Sequence, residues 1–209
     1  MKKITMVICI AMQTVFCFSS NKTNTNNDLV QIVSINPKIK LDIRYATTNN
    51  ITGIILYASD RCYLRKSTAL KLNNVQNELE KQGLGLKIFD GYRPRAIQYK
   101  LWDACPDKNY VADPKNGSRH NRGAAVDLTL IDTVTGEELE MPSGFDEMNE
   151  RAHRTYETMT SLAAKNCKLL EDIMVKYGFI PLPTEWWHFD DEHWQEYDLL
   201  DIPTEQLKS

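Results

Sequence analysis

Apolar positions along the chain fall into short runs separated by polar turns, and two periods are visible. Leu29–Val33 and Lys40–Tyr45 read as short strands, the second alternating Leu41, Ile43 and Tyr45 with polar neighbours. Asn49, Asn50 and Gly53 mark a turn. Ser67–Gln82 predicts a helix, with Leu70, Leu72, Val75 and Leu79 as its stripe, Ser67 as N-cap and Gly83 as stop. Leu86–Asp90 reads as a strand running into a Gly91-Tyr92-Arg93-Pro94 turn. Ala96–Trp102 suggests a second helix, Ala124–Leu130 a strand, and Glu150–Tyr177 a long helix stopped by Gly178. Trp186–Phe189 closes the series as a last strand. Interleaved elements of this size predict one mixed α+β domain over residues 29–209, a small and mainly antiparallel central sheet flanked by helices.

The amino-terminal pattern is different. Lys2 and Lys3 precede a run from Ile4 to Phe18 that carries no charge, then come Ser19 and Ser20. Basic start, apolar stretch and small residues are the layout of a signal peptide over residues 1–20, with 21–28 as a polar linker. The apolar run of about fifteen residues is short against the roughly 20 that span a bilayer. The expectation is therefore an exported, periplasmic protein, touching membrane only through this leader or an uncleaved anchor. A cytoplasmic location is the lesser alternative. Phe16 stands where a lipoprotein signal needs a small residue, which argues against lipidation of Cys17. Of five cysteines, Cys62, Cys105 and Cys167 lie beyond the leader. They show no CxxC spacing and read as small buried hydrophobes.

Composition narrows the function classes. The 209 residues are 42% hydrophobic and 25% charged, the balance of an ordinary globular chain. A net charge of −3 argues against a nucleic-acid binder held by phosphate contacts. No GxGxxG or P-loop follows any strand, so such nucleotide sites are unsupported.

The chemistry-bearing residues sit in three segments. Ser118-Arg119-His120-Asn121-Arg122-Gly123-Ala124-Ala125-Val126-Asp127 opens in a loop and closes in a strand. An Asp in the middle of such a strand is costly to bury unless it is paired or bound to a metal. Glu185-Trp186-Trp187-His188 supplies a second histidine and a carboxylate in apolar surroundings. Two His and one carboxylate, with a fourth position left to water, form a catalytic zinc arrangement. Glu185 is then free as a general acid/base, provided a bend or strand end brings it to the side of His188. Arg93, in its turn, is placed to stabilise a developing oxyanion. Plainer alternatives exist for each. His120 could be a surface loop histidine, Asp127 the partner of Arg119 or Arg122, Glu185 a solvated acid, and Arg93 a surface ion-pair residue. His153 and His193 read as structural or exposed, with His193 the rival ligand to His188.

Together these segments resemble the zinc D,D-peptidase (hedgehog-like) superfamily. Ser118 to Asp127 is similar to its Ser-x-His-x-x-Gly-x-Ala-x-Asp motif, Glu185 to His188 to its Glu-x-x-His motif, and Gly91 to Pro94 to its upstream arginine motif. Within the superfamily the chain is most similar to the D-alanyl-D-alanine dipeptidases of the vancomycin-resistance type, from about Leu41 to Trp194. Asp42 to Thr47, Asn49-Asn50, Arg61-Cys62 and Phe145 to Met148 carry that finer likeness. The resemblance implies one zinc ion per chain on His120, Asp127 and His188. It implies Glu185 as acid/base, Arg93 as carbonyl polariser, Ser118 holding the dipeptide and Asp146 near its ammonium. The expected reaction is hydrolysis of the small-molecule dipeptide D-Ala-D-Ala. The alternatives are a carboxypeptidase or endopeptidase on peptidoglycan stems and, from another class, a non-catalytic zinc- or partner-binding module. The leader is a departure from the many resistance dipeptidases that are cytoplasmic, and it favours salvage of dipeptide over glycopeptide resistance.

Overall fold

The computed structural model describes residues 28–207. The expected signal peptide and most of its linker lie outside the described residues. Eleven elements follow in chain order: β1 Leu29–Gln31, α1 Ile32–Ile35, β2 Lys40–Leu41, β3 Tyr63–Arg65, α2 Lys66–Leu79, β4 Leu84–Asp90, α3 Arg95–Ala104, β5 Ala125–Asp132, α4 Ser161–Lys176, β6 Phe179–Pro181 and β7 His188–Asp191. A five-stranded sheet has the order β2-β4-β5-β7-β6. Only the β2–β4 pair is parallel, so the mainly antiparallel α+β sheet expected from the sequence is the one formed. β1 and β3 make a separate two-stranded antiparallel ribbon.

β5 is the centre of the sheet, and it is buried on both faces. Val126, Leu128 and Leu130 enter the main core with Leu86 and Ile88 of β4 and with Leu72 and Leu79 of α2. α2 and α4 pack against each other and over β4 and β5. The opposite face of β5 carries Asp127, and there the site is built.

Several sequence expectations need correction. Ile32 and Val33 belong to a helical turn: the Ile32 N–H still reaches across to the Cys62 carbonyl at 3.0 Å, but the Ile32 carbonyl accepts the Asn36 N–H at 2.9 Å and the ladder ends there. The strand expected over Lys40–Tyr45 ends at Leu41, and Arg44–Ala46 form a 3-10 turn that buries Tyr45. On α2, Ser67 does not cap the helix. Its hydroxyl meets the Tyr197 hydroxyl at 2.5 Å. The buried stripe of α2 is Ala69, Leu72, Val75 and Leu79, and Leu70 faces solvent.

The long helix expected over Glu150–Tyr177 is broken. Glu150–Ala152 form a 3-10 turn, and α4 begins only at Ser161, where the Thr160 hydroxyl accepts from the Ala163 N–H at 3.0 Å. That side-chain cap is a start signal. The intervening segment turns back onto the β6–β7 connection, with Arg154 N–H bonded to the Pro183 carbonyl at 3.0 Å. The last strand starts two residues later than expected, leaving Trp186 and Trp187 in a turn. Both indoles are nonetheless fully buried, as expected for core residues.

Candidate metal centre

Three strands deliver one row of side chains. Asp127 of β5 lies opposite His188 of β7. On its other side it lies opposite Asp90 of β4, because the β4–β5 register shifts between Ile88 and Asp90. An extra residue in one strand moves everything beyond it to the other face. Without this bulge Asp90 would share the face of Val126 and enter the apolar core. With it, Asp90, Asp127 and His188 line up on one side of the sheet.

His120 comes from a 3-10 turn, His120–Arg122, closed by Gly123 at φ 68. The left-handed backbone at Gly123 calls for glycine, while a Cβ there would meet only the movable end of the Leu29 side chain at 2.5 Å. The turn is stitched to the arginine segment. Arg93 N–H donates to the His120 carbonyl at 3.1 Å, and the Asn121 side-chain amide donates to the Arg93 carbonyl at 2.9 Å.

The three candidate ligands converge. His120 Nε2 and His188 Nδ1 are 3.2 Å apart, His188 Nδ1 and Asp127 Oδ1 are 3.0 Å apart, and His120 Nε2 and Asp127 Oδ2 are 3.4 Å apart. Donors at the usual zinc distance of about 2.0–2.1 Å in a tetrahedron stand about 3.3–3.4 Å from one another. The spacing therefore suits one small cation with an open fourth side. The outward nitrogens are occupied as well. His120 Nδ1 lies 2.8 Å from the Gly91 carbonyl, and His188 Nε2 lies 2.9 Å from Asp190 Oδ1. Such partners fix which nitrogen faces the metal.

Charge points the same way. Asp90, Asp127, Glu185 and Asp190 are buried, and Asp146 is half-buried, around the guanidinium of Arg93 and the two imidazoles. Burial works against the Asp127 carboxylate, but His120 and His188 outweigh it and hold it well below the usual carboxylate range. Burial works against the His188 cation, but hydrogen bonds to Asp127 and Asp190 raise that imidazole to about 10.

Glu185 stands in the turn just before β7, not on the strand. Its position ahead of the strand end is what brings it to the same side as His188, with Oε2 4.0 Å from His188 Nδ1. Burial, with Asp127 adding to it, pushes Glu185 up to about 7 against the pull of His188. Arg93 is buried, bonded through Nε and Nη2 to Asp90 Oδ2 at 3.0 and 2.7 Å and through Nη1 to Gln98 Oε1 at 2.8 Å. It is no surface ion-pair residue. Asp146, at φ 59, accepts from the Tyr45 hydroxyl at 2.9 Å. Burial, and then the Asp127 charge, raise it to about 8. Ser118 Oγ accepts the His120 N–H at 3.2 Å, which leaves its own proton free to donate.

All seven residues singled out from the sequence line one cavity of about 210 Å³, with Tyr45, Trp187 and Tyr110 among its walls. That is small against the roughly 300–1,000 Å³ of most small-molecule sites. His193 is exposed and pairs with Glu192 and Glu196, so it is not the second histidine of the site. His153 packs beside the Tyr110 hydroxyl at 3.3 Å. Arg119 turns to Asp190 and not to Asp127. The sequence reading passed over Tyr45, Tyr57, Asp90, Gln98 and Asp190. Tyr57 donates to Asp90 Oδ1 at 2.8 Å and so completes the cradle of Arg93. The Asp190 signal was available: it lies two residues beyond His188, on the same strand face.

Buried imidazoles and a carboxylate spaced for one cation, beside an acid and an arginine, define the class as a metal-dependent hydrolase. The chain belongs to the D-Ala-D-Ala dipeptidase family, Peptidase_M15, whose model matches residues 25–201. The D-alanyl-D-alanine dipeptidase of Escherichia coli K12 is 42% identical over 173 residues, covering 83% of this chain and 89% of that protein. The enzyme of the same name from Enterococcus faecalis is 34% identical over 188 residues, covering 79% and 88%. Among solved structures, the LdcB LD-carboxypeptidase is similar at 23% identity with a TM-score of 0.48, covering 87% of this chain and 78% of that one.

Proposed function

We propose that this chain hydrolyses the free dipeptide D-Ala-D-Ala with a zinc ion held by His120, Asp127 and His188. The observation that carries this reading is the tight donor triad with Glu185 beside it, in a small pocket that also holds Arg93 and Asp146. A zinc ion in that position supplies Lewis acidity toward the scissile carbonyl and makes water a better nucleophile. The protein groups supply the rest. Glu185 takes a proton from the attacking water as the new C–O bond forms. It delivers that proton to the amine of the departing D-alanine as the C–N bond breaks. Arg93 donates to the carbonyl oxygen as that oxygen gathers negative charge. The Ser118 hydroxyl donates to the bound dipeptide, and Asp146, steadied by Tyr45, pairs with its ammonium.

The test is D-alanine release by the purified chain from D-Ala-D-Ala, with zinc and with a chelator, beside a pentapeptide ending in D-Ala-D-Ala. Zinc-dependent release from the dipeptide alone supports the proposal. Release mainly from the pentapeptide makes the protein a carboxypeptidase on wall stems. Release from neither with zinc bound leaves a binding module, although such a module needs neither Glu185 nor Arg93.

Two further outcomes are expected. Arg93→Ala should lower kcat about 10²–10³-fold, the usual effect of losing an oxyanion partner, and steady-state kinetics at saturating dipeptide reads this directly. The second concerns pH. With Asp146 raised to about 8, its carboxylate fraction grows as pH climbs toward that value. The dipeptide's amine, with a pKa of about 7.7–8.0, loses its charge beyond it. KM should therefore fall as pH rises toward 8 and climb again above. Asp146→Asn should raise KM and flatten the acid side of that profile. A KM profile unchanged by the substitution would remove Asp146 from ammonium binding.

The basic-then-apolar leader supports export, where the reaction would recover dipeptide released from the wall. Amino-terminal sequencing of the periplasmic protein should begin just after residue 20.

A further inference from the structure

The connection from β6 to β7 carries Glu185, and β7 begins with His188, so this short loop sets a proposed acid/base beside a proposed ligand. Its neck is closed by one backbone bond, Leu182 N–H to the His188 carbonyl at 3.3 Å. A side chain from elsewhere in the chain reinforces it. Arg154 Nε donates to the Leu182 carbonyl at 2.9 Å, and its Nη2 donates to the His188 carbonyl at 3.0 Å. The two residues flanking the Glu185 turn are therefore bridged by one planar guanidinium. That guanidinium is fixed in its own right. It lies 4.4 Å over the ring of Phe189, the residue after His188, and its Nη1 is 3.5 Å from Glu171 Oε2 on α4. The side chain is only 7% exposed.

We propose that Arg154 is a positioning residue for the reaction, setting the Glu185 carboxylate relative to His188; this rests on the reading of the site given above. A planar fork with donors in fixed directions can span two carbonyl oxygens, stack on a ring and face a carboxylate at once. A lysine ammonium is a single point with no plane. Rigid support matters because a displacement of about 1 Å at reacting groups can cost about 10²-fold in rate. Arg154 touches neither the pocket nor the three ligand atoms, so its effect must pass through the loop it holds. The loop keeps other anchors when this side chain changes: Arg154 N–H to the Pro183 carbonyl at 3.0 Å and Trp186 N–H to the Ala152 carbonyl at 3.0 Å are backbone bonds. The fold should therefore survive replacement.

The test is kinetics of D-Ala-D-Ala hydrolysis for the full chain and for R154M, R154K, E185Q and R154M/E185Q, with zinc content and Tm for each. R154M should lower kcat about 10–100-fold, leave KM nearly unchanged and retain one zinc. R154K should fall between R154M and the unmodified protein. In the E185Q background, R154M should cost little further, because the group it positions has lost its chemistry. Full activity of R154M, a loss that tracks zinc content, or a full additional loss on top of E185Q would each overturn the proposal. Should R154M fail to fold, R154K in both backgrounds decides by the same criterion. An unmodified chain with no turnover, or an E185Q chain with undiminished turnover, would defeat the underlying reading of the site itself. Normal turnover with a silent R154M defeats only the role of Arg154.

Discussion

Glu185→Gln is expected to lower kcat about 10²–10⁴-fold, the range for removing a general acid–base group, while zinc remains bound. The substitution keeps the size of the side chain and removes its ability to take a proton. Glu185 is not one of the three converging donors, so the cation site should stay intact. Burial pushes the carboxyl up to about 7, a value that suits the proposed acid–base role. Metal analysis of the purified variant alongside its steady-state rates checks both halves. A variant that turns over normally would remove Glu185 from the reaction. A variant that loses zinc would make it a ligand.

Asp127→Ala should abolish both zinc binding and turnover. Asp127 is the middle of the cross-strand row, 3.0 Å from His188 Nδ1 and 3.4 Å from His120 Nε2. Its removal takes away one donor and the negative charge that draws a cation to the site. Two imidazoles held that close would then face each other with no anion between them. The unmodified protein should instead lose activity with a chelator and regain it when zinc is returned. Equilibrium dialysis with zinc, followed by a rate assay, separates the two cases. A variant that keeps stoichiometric zinc would mean that the ion is held elsewhere.

Much of the site was legible in the sequence, and the reason is local. His120 and Asp127 are seven positions apart, on a turn and the strand that follows it, and Glu185 and His188 are three apart across a strand end. Such spacings survive folding because few residues intervene. Asp90 was not legible as a site residue from alternation, because a bulge decides its face and no periodic pattern announces one. Tyr45 was read as the end of a strand. It turns off the strand because its hydroxyl finds Asp146, far along the chain, and long-range partners leave no periodic trace. The long helix failed for a similar reason. Thr155, Thr158 and Thr160 are poor helix formers, Arg154 bonds across the Leu182–His188 neck, and the Thr160 cap restarts the helix at Ser161. Leu70 misled because a helix stripe was assigned from apolar character alone. The buried side of α2 is set by where β4 and α4 lie.

Cys62, Cys105 and Cys167 are buried and unpaired. Burial pushes all three thiols up, away from the reactive thiolate form. No covalent staple therefore holds the described domain together, and its folding requires no oxidant. The same core can therefore form in a reducing or an oxidising space with no retuning. Melting curves recorded with and without a reductant should superimpose.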